Sequence, residues 1–307
     1  MNQKLKKALF VCCLFILVFS YFFSGIFPSG GYYDRHFFKA KNGCIGSEIV
    51  YWDKEPCESY APLFHWLARP FTFHENAFFY FVIILIGLIT PLLLFALTKN
   101  WLSVILYFTT TTYFYFMIDG FFSQAIAGIL LLTIFLTKDW RIQTIILLLS
   151  IFSHGHGFLL CLTAFLITNF KNGFFSCSAT FGANKPQIFE SPIEGMVTTG
   201  TQFTVSHALV FFARIFPLPS LVFSVWYAVT KKYRLDLLVM SIVCFAGGFL
   251  ISHRTFYFIP LLLIPSLTMF ASEQKGNWKT GFWLLVFVSF LYLFGGWINF
   301  KTCLGFL

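Results

Sequence analysis

The run AFFYFVIILIGLITPLLLFAL at 77–97 contains no charged residue. It is long enough to cross a hydrocarbon core, which takes about 20 consecutive apolar residues in helical form. Runs of the same character recur at roughly 8–27, 101–118, 121–136, 142–168, 208–230, 235–251, 255–270 and 281–300. Together they predict an all-α, polytopic transmembrane helical bundle of about nine spans, with the chain 1–307 forming a single membrane domain. Composition agrees. The chain is 58% hydrophobic and 11% charged, whereas a soluble domain carries roughly 25% charged residues. Phenylalanine alone contributes 45 residues, so packed and outward surfaces alike are aromatic.

The formal charge of +9 does not point to nucleic acid, because no soluble domain is left over to carry a basic groove. Topology accounts for it. With the N-terminus in the cytoplasm, the short cytoplasmic segments hold Lys4, Lys6, Lys7, Lys99, Lys138, Arg141, Lys231, Lys232, Arg234, Lys275 and Lys279 against Asp139, Asp236 and Glu273. The longer outer segments are nearly neutral. This is the positive-inside pattern, and an odd number of spans puts the C-terminus outside. The basic start and apolar run of 1–27 also suit a signal peptide, but no small-residue cleavage site follows, so the run reads as a retained first span. The expected location is a plasma membrane or an endoplasmic reticulum membrane.

Two outer segments are too long to be connectors. The first, 28–76, carries Tyr32, Tyr33, Trp52, Tyr60 and Trp66 and is expected to contain interfacial helices and catalytic residues. The second, 169–207, is rich in Thr, Gly and Ser and is expected to be mobile. Cys44 and Cys57 share the first outer loop, and an oxidising compartment favours a bridge between them over two free thiols. A Cys177–Cys303 pairing is a weaker possibility of the same kind.

Ionisable groups near a bilayer are costly, so each calls for a role. Asp34 follows the first span in Gly30-Gly31-Tyr32-Tyr33-Asp34-Arg35-His36; it suits either a solvated carboxylate beside Arg35 or a general base. Asp119 lies in the turn Met117-Ile118-Asp119-Gly120, as a cap for the next helix or as a second carboxylate on the same membrane face. His154 and His156, in Ser153-His154-Gly155-His156-Gly157, are placed midway along one long span. Their i, i+2 spacing argues against a shared zinc ion; they suit helix–helix hydrogen bonds or a polar cavity. His253 and Arg254 precede an aromatic, Pro-containing span. A guanidinium there can clasp a lipid phosphate or snorkel to headgroups. Arg214, with His207 one heptad before it, is a similar candidate.

On these residues the layout resembles the GT-C superfamily of membrane glycosyltransferases. Asp34 opens a long outer loop that ends in Tyr60-Ala61-Pro62-Leu63-Phe64-His65-Trp66-Leu67, similar to the segment leading into the second span of many members. Asp119 sits where the family often has a second acidic motif, and His253-Arg254 resembles its late Arg-aromatic segment. The resemblance implies transfer of a sugar from a polyprenyl-phosphate-linked donor to a glycan, lipid or protein acceptor at the outer or lumenal face. It implies Asp34 as catalytic base and Asp119 as the group that orients substrate or holds a divalent cation (Mg or Mn), where one is used. It gives Arg254 and His253, with Arg214, the lipid phosphate, and makes Glu48, Asp53 and His65 secondary loop candidates. Asp34 stands in Asp-Arg-His rather than in an acidic-x-Asp pair, and no large C-terminal soluble domain follows, which disfavours oligosaccharide transfer. A second likeness competes. Asp119-Gly120-Phe121-Phe122-Ser123-Gln124-Ala125-Ile126-Ala127, followed by His154, resembles the Arg-Gln and His pattern of EpsG-type exopolysaccharide polymerases, without the Arg. A transporter or a non-catalytic scaffold is a further alternative; against a transporter stand the lack of an internal repeat and the few mid-membrane charges.

Overall fold

The computed structural model describes residues 2–23, 32–42, 62–117, 122–153, 155–169, 218–250 and 253–303. Among them the chain is helical throughout, with no strand. The helices are α1 (Gln3–Phe23), α2 (Tyr32–Asn42), α3 (Pro62–Ala68), α4 (Glu75–Ile84), α5 (Thr90–Thr98), α6 (Leu102–Phe108), α7 (Thr111–Met117), α8 (Phe122–Leu136), α9 (Trp140–Ile151), α10 (Gly155–Asn169), α11 (Leu218–Thr230), α12 (Leu235–Leu250), α13 (Phe258–Glu273) and α14 (Gly276–Cys303).

The run at 77–97 becomes one continuous rod, Glu75–Thr98, with a π-helical turn at Leu85–Ile89 between α4 and α5. Pro91 is the physical reason for the wide turn: it brings no N–H and its ring clashes with the preceding turn's carbonyl. The Thr90 hydroxyl donates to Leu85 O at 3.3 Å, and the Tyr107 hydroxyl donates to Ile86 O at 3.0 Å. This rod and Thr255–Glu273 are long and apolar enough to cross a membrane. The run at 101–118 is broken instead, because the Thr109 and Thr110 hydroxyls turn back onto Leu106 O (2.9 Å) and Tyr107 O (2.7 Å), competing with helix continuation.

At 142–168, read as one long span, the chain folds as two antiparallel helices. Phe152 N–H donates to Leu149 O, Ser153 N–H to Ser150 O and Ser153 Oγ to Ser150 O, which closes α9 in a tight turn. The chain then doubles back as α10. The proof of reversal is at the far ends. Asn169 Nδ2 donates to Gln143 Oε1 at 2.7 Å, while Gln143 Nε2 donates to Ile134 O (3.0 Å) and Thr137 O (2.7 Å). Two expectations change. His156 falls at the start of α10, by the hairpin turn, rather than mid-span, and segment 169–207 starts from Asn169 at the Lys138 end, not from the side of α2 and α3. Of the run 208–230, residues 218–230 form α11; the remainder lies outside the described residues.

α13 is the axis of the bundle. It is buried from Thr255 to Leu267 on every side, packed by α5, α6, α8, α11 and α12. Glycines on its neighbours make room: a Cβ on Gly128 would stand 3.0 Å from Leu261 Cδ1, and one on Gly248 would stand 2.1 Å from Phe256 Cε1.

The bundle has two unlike ends. At one end Lys7 Nζ sits 5.9 Å from the Trp101 ring centroid, and the Arg234 guanidinium lies 6.0 Å from the Phe135 centroid while holding Asp236 in a two-pronged ion pair at 2.9 and 3.0 Å. The Tyr227 hydroxyl donates to Glu273 Oε1 at 2.5 Å. All eleven basic residues assigned above to the cytoplasmic segments lie at this end. At the other end lie α2, α3, the starts of α4 and α8, the α9–α10 tip and the 3₁₀ turn His253–Tyr257.

Outward faces are apolar. On α1 these are Phe10, Leu14, Leu17 and Val18; on α9 Ile142, Ile145, Leu148 and Leu149; on α12 Leu235, Val239 and Ile242; on α14 Leu284, Phe287, Val288 and Leu291. Each set follows helical spacing, so whole stripes face outward, the reverse of the polar exterior of a water-facing bundle.

Candidate functional site

α2 and α3 come from the loop 28–76 and meet over the start of α8. Their junction is a pair of histidines. His36 Nδ1 and His65 Nε2 are hydrogen-bonded at 2.9 Å, with the rings 5.1 Å apart and 23° from parallel. One ring is the N–H donor and the other the neutral acceptor, so at least one imidazole is uncharged when the bond is made. A collar of aromatics surrounds the pair. The His36 ring lies 5.4 Å from Phe64 and 5.1 Å from Phe122, and Phe64 lies 5.1 Å from Phe122. Phe37 and Phe64 both pack on Phe78 of α4. His65 is buried, and the adjacent Trp66 and Leu67 are exposed. The seven-residue helix α3 therefore turns a polar ring inward and apolar groups outward.

Asp34 occupies the first turn of α2, half a turn before His36. His253 and Arg254 begin the 3₁₀ turn that leads into α13. That turn is pinned from two sides: the Thr255 hydroxyl donates to Cys244 O of α12 at 2.9 Å, and the Thr112 hydroxyl of α7 donates to Tyr257 O at 3.0 Å. His156, in the first turn of α10, is buried. Its neighbour Gly157 packs so closely on α8 that a Cβ would stand 2.5 Å from Ala127 Cβ. The sequence candidates that fall on described backbone, Asp34, His65, His156, His253 and Arg254, therefore all lie at the end opposite the basic loops. Glu48, Asp53, Asp119, His154, Arg214, Cys44 and Cys57 lie outside the described residues. Cys12, Cys13, Cys161 and Cys244 are free thiols.

Sequence reading missed His36 as the partner of His65, although His36 adjoins the Asp34-Arg35 pair singled out there. A 29-residue separation hides such a contact. It also missed the carboxamides Gln143 and Asn169, whose burial in an apolar run was the available signal. For a divalent cation the described residues offer little: they hold no group of three or more His, Cys, Asp or Glu, and each ring of the histidine pair commits one nitrogen to the other. Comparison with protein-family models, with curated proteins and with solved structures finds no match to this chain.

Proposed function

We propose that this chain is an integral membrane glycosyltransferase that uses a polyprenyl-phosphate-linked sugar donor at the face opposite its basic loops. The outward apolar stripes favour a lipid surround, because in water they would leave several contiguous apolar patches exposed. The gathering of the basic residues at one end favours that end as cytoplasmic. The observation that carries the reading is that the Asp34 helix, the His36–His65 junction and the His253–Arg254 turn belong to the same end of the bundle, the one away from the basic loops. A lipid-borne donor confines its reacting phosphate to that depth.

In this reading Asp34 accepts the proton of the acceptor hydroxyl as its oxygen attacks the sugar. The bond between the anomeric carbon and the phosphate oxygen breaks, and the leaving phosphate takes the electron pair. Arg254, with His253 beside it, neutralises the charge that grows on that oxygen. The histidine junction fixes α2 against α3 and so fixes the depth of Asp34. No step is assigned to a divalent cation. A glycan, lipid or protein acceptor fits this scheme equally well.

A second reading is a polysaccharide polymerase of the EpsG type. The Asp119 and His154 of that likeness lie outside the described residues; what favours it is the α9–α10 hairpin, which sets the start of α10, with the buried His156, beside α8, where Ser123 and Gln124 are buried on the first turn and Gly157 touches Ala127. Product length separates the two readings, since a polymerase yields a ladder and a single-sugar transferase one product. The test of the main reading is sugar transfer by the reconstituted protein from a radiolabelled polyprenyl-phosphate donor. Asp34→Asn is expected to lower turnover about 10²–10⁴-fold, the usual worth of a positioned base, with unchanged expression and melting. Full turnover in that variant would remove Asp34 from the reaction.

A further inference from the structure

A groove of about 370 Å³ opens at the basic end, between α11, the end of α13 and the start of α14. That volume lies within the range of about 300–1,000 Å³ typical of small-molecule sites. Its floor is aromatic: Phe223 and Phe270 stack with centroids 4.7 Å apart, and Phe282 meets both edge-on. Its rim toward the end of the bundle carries the carboxamides of Gln274 and Asn277 and the indole of Trp278, which is 79% exposed. The α14 lining follows the helical repeat, Trp278, Gly281, Phe282 and Leu285, so it is one coherent face. Gly281 leaves that face hollow, since a Cβ there would meet nothing within 4 Å.

The charges around the groove are unbalanced. Among the described residues the ion pair is Arg234–Asp236, and Glu273 accepts the Tyr227 hydroxyl. Lys275 in the turn before α14 and Lys279 in its first turn are exposed, with no acidic partner among those residues. An aromatic slot with an amide rim and a net positive edge, the ammonium groups of Lys275 and Lys279 against the one carboxylate of Glu273, is complementary to an amphiphile with an acyl tail and an anionic head. Long lysine side chains reach from such a position to the headgroup layer.

We propose that this groove holds one anionic phospholipid of the cytoplasmic leaflet, its acyl chain against Phe223, Phe270 and Phe282 and its phosphate by Lys275 and Lys279. The proposal rests on the membrane reading above but not on the glycosyltransferase reading. The lipid fills the space by which α14 stands off the bundle and ties that helix to α11 and α13.

Native mass spectrometry of the full chain, released from micelles supplied with equal phosphatidylglycerol and phosphatidylcholine of identical acyl chains, tests it. The wild-type chain is expected to retain one phosphatidylglycerol in preference to phosphatidylcholine by about tenfold. Gly281→Leu, and independently Leu285→Trp, fill the slot and should abolish that adduct while melting as the wild type does. Lys275→Gln with Lys279→Gln should keep a lipid adduct but lose the headgroup preference. Equal retention of the two lipids by the wild type, or an undiminished adduct in both filled variants, overturns the proposal. Release of the chain from membranes by alkaline carbonate would instead sink the membrane reading beneath it.

Discussion

Replacing Gln143 with leucine should destabilise the bundle by about 2 kcal/mol, from three interhelical hydrogen bonds at ~0.6 kcal/mol each inside a membrane protein. The carboxamide of Gln143 serves three helices at once. Its Nε2 donates to Ile134 O in the last turn of α8 and to Thr137 O just beyond that helix, carbonyls past the reach of the helix's own N–H groups. Its Oε1 accepts from Asn169 Nδ2 at the end of α10. Leucine keeps the volume and removes these three, together with the longer 3.4 Å contact from Nε2 to the Thr168 hydroxyl of α10. With the larger soluble-protein value of about 1.5 kcal/mol per bond, the ceiling is about 4.5 kcal/mol. The lower figure is the better guide, because Asn169 keeps its bond to Phe165 O at 2.8 Å and so is not orphaned. Asn169→Leu should cost about 0.6 kcal/mol by the same count. The double variant should cost less than the sum of the two, since the singles share one bond. The assay is reversible unfolding of the reconstituted protein in mixed micelles with increasing sodium dodecyl sulfate. A Gln143→Leu chain as stable as wild type, or strictly additive single and double variants, would refute the hairpin contact.

Cysteines placed at Lys138 and Asn169 should react with a membrane-impermeant maleimide from the same side, and one at Lys39 from the other; labelling of 138 and 169 from opposite sides would restore a single long span over 142–168. Gly248→Leu should lower stability by about 1–3 kcal/mol, the usual cost of overpacking, because even its Cβ would stand 2.1 Å from Phe256 Cε1; transfer activity should fall with it, since Phe256 belongs to the turn that carries Arg254, and an unaltered melting curve would contradict the packing. His65→Ala should lower transfer turnover more than His65→Gln, because glutamine can still reach His36 with a polar atom; equal losses in both would leave the histidine junction without a positioning role. Thr112→Val is expected to cost about 1 kcal/mol for the lost bond to Tyr257 O, read from the same unfolding curves.

Fold class was legible in the apolar runs themselves. The rod at 75–98 and the axis at 255–273 are close to the expected runs at 77–97 and 255–270, since apolar length alone defines them. The grouping of the basic residues at one end of the bundle has a simple origin: Lys99, Lys138, Lys231, Lys232 and Arg234 fall between helices and Arg141 in the first turn of α9. What misled was 142–168, where hydropathy stays high across a reversal. The signals were Ser150 and Ser153, whose hydroxyls can close a turn, and Gly155 and Gly157. Their meaning depends on α8 being close enough to demand a glycine, which is a tertiary fact. Of the site candidates, Asp34 and His253-Arg254 stood out in the sequence for their cost near a bilayer, and His65 only as a secondary loop candidate implied by the family resemblance. Its assembly was not legible, because His36–His65 and Thr112–Tyr257 join positions far apart in the chain.

α9, at 12 residues, rises about 18 Å at 1.5 Å per residue, against a hydrocarbon layer of about 30 Å. The rest of the outer wall at that corner comes from α3, whose Trp66 ring sits 5.6 Å from Phe152 and whose Leu63 N–H donates to Phe152 O at 2.9 Å. The wall is thus two panels butted edge to edge rather than one continuous rod. Among the described residues that seam is held by a main-chain bond and a ring contact rather than by a shared helix, so the two panels can part there without either helix unwinding.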